Sequence, residues 1–399
     1  MTRSGVRRRH VFFLTGFDPK PAAHYHALYT REALRQSKIN GMDISVGPRL
    51  RNADGNSRWS VHAQDALGSC ETVYEYVRWD DIVRACWPRG GVAVSADALR
   101  GAWAVLGSGE LGRVWRLAPR TLAALMYAFG FLLGGLALAA ALGLMAFFWG
   151  ASFAGLGYGP AAFSGLAFLG IGVWGFVRLE ARLHSTWMAR ILAFSDRWAH
   201  DRVQGLQPRL DQAAAALARA LQNDDNDEVL LVGISVGSML AVSVAARALH
   251  IADDVHRAQG AKAGRVLSLL TLGHCIPLLG LMRRASGFRA DLAALAVHTR
   301  LRWRDFSSPT DWVSFGLADP VAACGLDVGP RPPGQPQQAS PRFHTLFEPD
   351  NYRALVKDKI RLHRQYIMSS DRPGPYDYFA ITAGSMSLVQ RFPLRDSVT

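Results

Sequence analysis

A serine with a glycine two residues away on either side is the first candidate for chemistry: Gly233-Ile234-Ser235-Val236-Gly237. It follows Val229-Leu230-Leu231-Val232, a continuous apolar run of the kind that forms a central parallel strand buried on both faces. It precedes Ser238 to His250, which reads as a helix with small residues on its first turns. A serine on so sharp a strand-to-helix turn has a strained backbone, and side chains two residues before and after it would collide, so both places call for glycine. The chemistry of that placement is nucleophilic, with the first N–H groups of the helix directed at developing negative charge. Such a hydroxyl needs an acid and a base elsewhere in the chain. Leu301 to Phe306 reads as a later strand and runs into Ser307-Ser308-Pro309-Thr310-Asp311-Trp312-Val313. An acid a few residues past a strand end lies on the rim where such sheets hold their sites, which makes Asp311 the candidate. Asp305 falls inside that strand, and Asp319 before Pro320 reads as a turn. Two histidines lie downstream, His344 in Pro341-Arg342-Phe343-His344 and His363 in Arg361-Leu362-His363-Arg364-Gln365-Tyr366. His274, just after the apolar run Val266 to Leu272, is on the same rim but precedes the acid.

Strand, G-x-S-x-G and helix in this order resemble the nucleophile elbow of the α/β-hydrolase superfamily, in particular its bacterial lipase- and esterase-like members. The resemblance covers residues 10 to 110 and 190 to about 380. It implies an α/β fold, a mostly parallel sheet flanked by helices, with catalytic partners in the chain order Ser, Asp, His. The S-P-x-D-x-V string is similar to the loop that holds the acid in lipase-like hydrolases, so Asp311 would orient an imidazole and stabilise its cationic form. The H-x-x-Y arrangement resembles the region after the last strand in related enzymes, which favours His363 as base. His344 is the alternative base, and would be a sheet residue if Phe343 to Phe347 were that last strand. The oxyanion hole would use the backbone N–H groups of Val236 and of Phe17 in Thr15-Gly16-Phe17, where lipases often carry His-Gly instead of Thr-Gly. The implied reaction is acyl transfer through an ester on Ser235, resolved by water. No cofactor and no metal is signalled: the chain has no P-loop, no G-x-G-x-x-G and no H-E-x-x-H.

The elements that must position these residues are readable in outline. His10 to Leu14 reads as a buried strand ending at Thr15-Gly16-Phe17-Asp18-Pro19, and Tyr25, Leu28, Tyr29, Ala33 and Leu34 recur at helical spacing between His24 and Ser37. Ile44 to Leu50, Arg58 to Ala63 and Thr72 to Trp79 read as strands, with a turn at Ala53-Asp54-Gly55-Asn56. Leu183 to Gln222 reads as largely helical, an acidic linker Asn223 to Glu228 leads into the strand before Ser235, and Arg331 to Ser340 reads as a flexible loop. No internal repeat is visible.

Between the two halves, from Thr121 to Val177, lie 57 residues without a single Asp, Glu, Lys, Arg or His. A helix crossing about 30 Å of hydrocarbon needs roughly 20 apolar residues, and two such runs are present, about 121–149 and 152–177. Gly150, Gly155, Gly157 and Pro160 mark the turn between them, and Gly130 with Gly134 forms a GxxxG pair suited to close helix approach. The expected organisation is therefore 1–112 and 183–399 as two parts of one domain, with 113–182 as an inserted transmembrane hairpin. Arg113, Arg116 and Arg120 precede the hairpin and Arg178, Arg182 and Arg190 follow it, while the turn carries no basic residue. By the positive-inside rule both polar parts face the cytoplasm of a bacterial inner membrane. The apolar run Val11 to Leu14 behind Arg7, Arg8 and Arg9 is too short for the core of a signal peptide.

The chain has 399 residues, 49% of them hydrophobic, a mean hydropathy of +0.05 and a formal charge of +13, which excludes disordered and collagen-like classes. The charge suits anionic headgroups, and no helix-turn-helix, zinc-finger or RNA-binding aromatic motif supports nucleic acid as a partner. Four dispersed cysteines (Cys70, Cys86, Cys275 and Cys324) without a CxxC pair argue against a disulfide framework or a zinc ribbon. The expected partners are the lipid bilayer and a lipid or acyl-ester substrate, its pocket lined by segments 80–120 and 178–222. A catalytically silent fold serving as a membrane scaffold is the alternative.

Overall fold

The computed structural model describes residues 5–87, 111–183, 187–258, 265–333 and 335–393, with scattered positions between 93 and 109. It is an α/β structure on a mixed, mostly parallel nine-stranded sheet. The strands are β1 Arg8–Leu14, β2 Asp43–Val46, β3 Leu50–Arg51, β4 Ser57–Asp65, β5 Gly68–Tyr76, β6 Glu228–Ile234, β7 Leu267–Leu272, β8 Leu301–Phe306 and β9 Gln337–Ala339. Their order is β2-β4-β5-β1-β6-β7-β8-β9, with β3 paired to β4. From β5 across to β9 every pairing is parallel, while β2, β3 and β5 pair antiparallel with β4. The chain leaves β1 toward β5 on one side and returns to β6 on the other. The crevice at the C-terminal ends of β1 and β6 is therefore the topological switch point, where open α/β sheets hold their ligands.

β6 is buried at all seven positions and β7 at all six, which is why their sequences are apolar without alternation. Successive residues still serve opposite faces. Leu231, Leu267, Leu269 and Leu301 enter one core, together with α6 Trp187–Ala199, α7 Leu206–Gln222 and α8 Gly237–Ala258. Leu230, Val232, Ile234 and Leu270 enter the other, with α1 Ala22–Asn40 and the C-terminal helices.

Several boundaries differ from the sequence reading. The run Ile44 to Leu50 is broken: β2 stops at Val46 and β3 starts at Leu50. β5 ends at Tyr76 rather than Trp79, whose indole N–H turns back to Thr15 O at 3.1 Å and Thr15 Oγ1 at 3.0 Å. The stretch Arg331 to Ser340 carries the edge strand β9, paired with β8. Phe343 to Phe347 is no strand: Phe343–Leu346 is a helical turn, because the residues that must be buried there (Phe343, Leu346, Phe347) recur at helical spacing.

The apolar insertion forms two antiparallel helices, α4 Pro119–Ser152 and α5 Tyr158–Leu183, preceded by the short α3 Leu111–Leu117. Both are long and apolar enough to cross a membrane. In their most apolar windows only 17% and 11% of residues are buried, whereas the core helix of a soluble protein would bury most of them. The turn occupies 153–157, so the second helix starts six residues later than expected and runs past Val177. The helices touch through small residues, but not through Gly130 and Gly134, which face open space. A Cβ on Gly135 would stand 2.1 Å from the Phe176 ring, one on Gly143 2.9 Å from Gly165 O, and one on Gly172 2.9 Å from Ala139 Cα. The contact stripe is offset from the expected pair by one position, about 100° around the helix. The start of α4 belongs to the globular core: Leu122, Leu125 and Leu132 are buried there, worth about 1.5–3 kcal/mol each. Residues 133–152 project beyond it, a length of about 30 Å.

Candidate active site

Ser235 stands at the end of β6, where strand gives way to α8. Its φ is +57°, a left-handed conformation that a non-glycine residue adopts only when its surroundings impose it. Ser235 N–H donates to Leu272 O on the neighbouring strand end (2.9 Å), and Ser238 N–H donates to Ser235 O (3.0 Å). The two flanking glycines are required by space. A Cβ on Gly237 would stand 2.3 Å from Leu14 O and 2.5 Å from Thr15 O, and one on Gly233 2.6 Å from Gly237 O. β1 therefore presses its C-terminal end against the turn. This brings Gly16 over the serine, so that a Cβ on Gly16 would lie 3.1 Å from Ser235 Cβ. Phe17 follows, buried and stacked on Trp87 with ring centres 5.6 Å apart. Val236, buried, immediately precedes α8, and its carbonyl accepts Met239 N–H at 3.0 Å.

Asp311 lies in the loop after β8 and is 2% exposed. His363 is on α13 Lys359–Arg364, further along the chain, and its Nδ1 is 2.8 Å from Asp311 Oδ2. The same oxygen accepts the Tyr366 hydroxyl at 3.1 Å, and Val313 N–H donates to Asp311 Oδ1 at 3.0 Å. Burial pushes the Asp311 carboxyl up, but the facing His363 ring and these hydrogen bonds outweigh it and hold it below the usual carboxylate range. An ionised Asp311 orients the ring by accepting from Nδ1, which leaves Nε2 as the nitrogen able to take a proton. That Nε2 is buried and has no hydrogen-bond partner among the described residues. Tyr366 is itself held by Ser308 N–H (2.8 Å), and burial, then the Asp311 charge, push its hydroxyl far above the usual range, so it stays a donor.

Gly16, Phe17, Ser235 and His363 line one pocket of about 350 Å³. Its walls are Leu28, Trp87, Trp187, Ile234, Ile360 and Ile367. Trp187, the first residue of α6, meets the His363 ring edge to face at 5.9 Å. Ser235 Oγ lies 3.7 Å from Cys275 Sγ, on the β7 side of the elbow. Burial pushes the Cys275 thiol up to about 12, so it remains protonated.

The structure thus brings Ser235, Phe17 and His363 to one pocket and joins Asp311 to His363. It does not bring in His344, which is exposed on its helical turn with its ring 6.3 Å from Tyr352. Nor does it bring in His274, fully buried behind the rim with Nε2 3.1 Å from Ala318 O and 3.9 Å from Asp305 Oδ2. Of the segments expected to line the pocket, Trp87 and Trp187 do so, and most of 88–110 lies outside the described residues. Sequence reading missed Trp187 and Cys275. Tyr366 appeared in it only as the last letter of H-x-x-Y.

A larger groove of about 670 Å³ lies at the opposite, N-terminal edge of the sheet, lined by Arg7, Arg8, Asp43, Glu71, Asp225 and Asp227 among others. Its polar groups serve one another: Asp227 Oδ2 accepts the N–H groups of Arg7 and Arg8 at 2.8 and 2.9 Å, and Arg8 faces Asp225 at 3.6 Å. Among the described residues no cluster of His, Cys, Asp or Glu is arranged to hold a metal ion. No family model, curated protein or solved structure matches the chain.

Proposed function

We propose that the chain is a membrane-anchored serine hydrolase of the α/β-hydrolase type, cleaving lipid or lipophilic esters through an acyl-enzyme on Ser235. The observation that carries this reading is the Asp311–His363 pair, whose unpartnered Nε2 is buried beside the pocket of a serine in left-handed conformation. In the reaction the Ser235 side chain rotates from Cys275 toward His363. Nε2 takes the hydroxyl proton as Oγ bonds to the ester carbonyl carbon. The resulting oxyanion is held by the N–H groups of Phe17 and Val236. The carbonyl re-forms as the C–O bond to the alcohol breaks, and the alcohol leaves with the proton from His363. Water, deprotonated by the same nitrogen, then releases the acid and frees Ser235.

The hairpin is the anchor, and it sits close to the site. Thr121 Oγ1 donates to Ser314 O at 2.6 Å and Arg120 to Pro309 O, so α4 begins against the loop that carries Asp311. Arginines at the hairpin's base support an orientation with both polar parts on the cytoplasmic side. Arg178 over the Trp174 ring at 4.9 Å suits the headgroup level.

One observation favours a second reading, a silent scaffold: Ser235 Oγ lies against Cys275. Ester hydrolysis by the detergent-solubilised full chain separates the two. The hydrolase reading expects turnover of a 4-nitrophenyl ester that disappears in Ser235→Ala; absence of turnover in a folded wild-type chain establishes the scaffold.

A further inference from the structure

The pocket is apolar inside, but its open side is charged on one wall. Lys20 and Arg364 both line it, from opposite parts of the chain: Lys20 follows the oxyanion loop and Arg364 follows His363. Between them lies one carboxylate, Asp18, whose Oδ2 faces Lys20 Nζ at 3.9 Å and Arg364 Nη2 at 3.5 Å. Both separations are longer than the roughly 2.7–2.9 Å of a charge-assisted hydrogen bond. Asp18 is otherwise engaged: Oδ2 accepts the Tyr25 hydroxyl at 3.0 Å and Oδ1 accepts Lys20 N–H at 3.1 Å. Two cations therefore share one carboxylate that already has donors of its own. Their side chains, 36% and 45% exposed, keep donor capacity facing the pocket.

His24, on the same wall, responds to that field. Burial first, then the Lys20 charge, depress its imidazole, with Arg364 and Arg31 adding to the effect, and Asp18 offsets only part of it. Nearby Arg31 is paired with Glu32 (2.9 Å) and Arg84 with Asp80 (2.5 Å), which leaves Lys20 and Arg364 as the pocket's positive wall.

We infer that the pocket selects a single-chain anionic ester, its acyl chain among Phe17, Trp87, Trp187 and Ile367 and its negative group between Lys20 and Arg364. The inference deepens the reading of Ser235 as nucleophile and rests on it. A pocket of about 350 Å³ is at the small end of the roughly 300–1,000 Å³ of ligand sites, room for one chain rather than two. The negative group is a phosphate or carboxylate close to the scissile ester. It reaches the site either on a bilayer lipid, for which the hairpin is the evident source, or on a water-soluble ester.

The test compares kcat/KM of the full chain, in neutral detergent, for two single-chain glycerolipids with the same acyl group, the 1-acylglycerol 3-phosphate, which carries the anionic group, and the 1-acylglycerol, which lacks it. The expected preference for the anionic ester is about tenfold, shrinking as salt rises from about 0.05 to about 0.5 M. In Lys20→Glu/Arg364→Glu the ratio is expected to fall below one. A second pair, the mono-4-nitrophenyl ester of glutaric acid and 4-nitrophenyl butyrate, separates the sources. Preference confined to the glycerolipids assigns a bilayer headgroup, and the same preference in both pairs assigns the anionic group whatever carries it. A wild-type ratio near one, or a ratio unmoved by the charge reversal, overturns the inference. Ser235→Ala, which retains the pocket, is expected to bind the 1-acylglycerol 3-phosphate about tenfold more tightly than the 1-acylglycerol. Headgroup selection thus remains measurable if Ser235 is not the nucleophile: selective binding without turnover sinks the hydrolase reading alone, and equal binding sinks the inference alone.

Discussion

Two buried Asp–His pairs, whose acids Asp305 and Asp311 flank the start of one loop, are built to opposite ends. In Asp311–His363 the contact is 2.8 Å, the carboxyl is held low, and the far nitrogen of the ring is unpartnered beside a pocket. In Asp305–His274 the contact is 3.9 Å and the ring instead meets a backbone carbonyl. Asp305 is bound by Thr271 Oγ1 at 2.6 Å and Ser307 Oγ at 2.8 Å, and burial drives its carboxyl up despite the His274 charge. The second pair is sealed and braces the start of the acid loop: Ser307 Oγ accepts Leu317 N–H at 2.8 Å and His274 O accepts Phe315 N–H at 3.1 Å. Proximity of an acid and a histidine is common to both. Each ring keeps one unpartnered nitrogen, Nε2 in His363 and Nδ1 in His274; what separates a candidate relay from a brace is the pocket that His363 lines.

Mutation separates the two pairs. The largest effect is expected at the relay: Ser235→Ala and His363→Ala each lower kcat/KM for an ester by about 10⁴-fold or more, whereas His274→Ala leaves hydrolysis measurable and lowers the melting temperature, since it opens a cavity under the loop. Equal catalytic losses at His274 and His363 would erase the distinction. Next come the acids. Asp311→Asn is expected to cost about 10²–10⁴-fold in kcat/KM by misdirecting the imidazole, while Asp305→Asn, which keeps its bonds to Thr271 and Ser307 available, costs less than about threefold.

Acid titration of stability sharpens the contrast through its sign. The Asp311 carboxyl lies lower folded than unfolded, so its stabilisation is present above the unfolded value near 3.8 and is lost as pH falls through the folded value. The Asp305 carboxyl lies higher folded than unfolded, so stability rises as pH falls through its folded value toward 3.8. Denaturation followed against pH should therefore show Asp311→Asn removing an acid loss and Asp305→Asn removing an acid gain. The same sign in both variants would contradict the pairing described here. The smallest effect is expected at His344→Ala, which should match the wild type in activity and stability because the ring is exposed.

Much of this was legible in the residues because burial and covalent geometry write directly into them. β6 and β7 carry runs of Leu and Val because both faces are covered, and Gly233 and Gly237 are forced by backbone atoms within 2.6 Å. The acid followed from its place past β8. Other features have no local signature. β9 is Gln-Gln-Ala, an edge strand identified only by its partner β8. Phe343 to Phe347 contains too few residues for its period to be read before the burial pattern is known. Trp187 reaches His363 because the hairpin returns the chain to the pocket, a consequence of tertiary placement alone. In the hairpin, composition revealed two long apolar helices, but the face on which they meet depended on one residue of rotation, Gly135 rather than Gly134.

The most direct measurement is covalent labelling of the detergent-solubilised full chain with a fluorophosphonate, followed by mass analysis of the peptide that contains Ser235. One adduct is expected, on Ser235, lost in Ser235→Ala and His363→Ala and retained in His274→Ala and His344→Ala. A folded wild-type chain that carries no adduct on Ser235, or a His363→Ala chain labelled as fast as the wild type, would contradict the hydrolase reading.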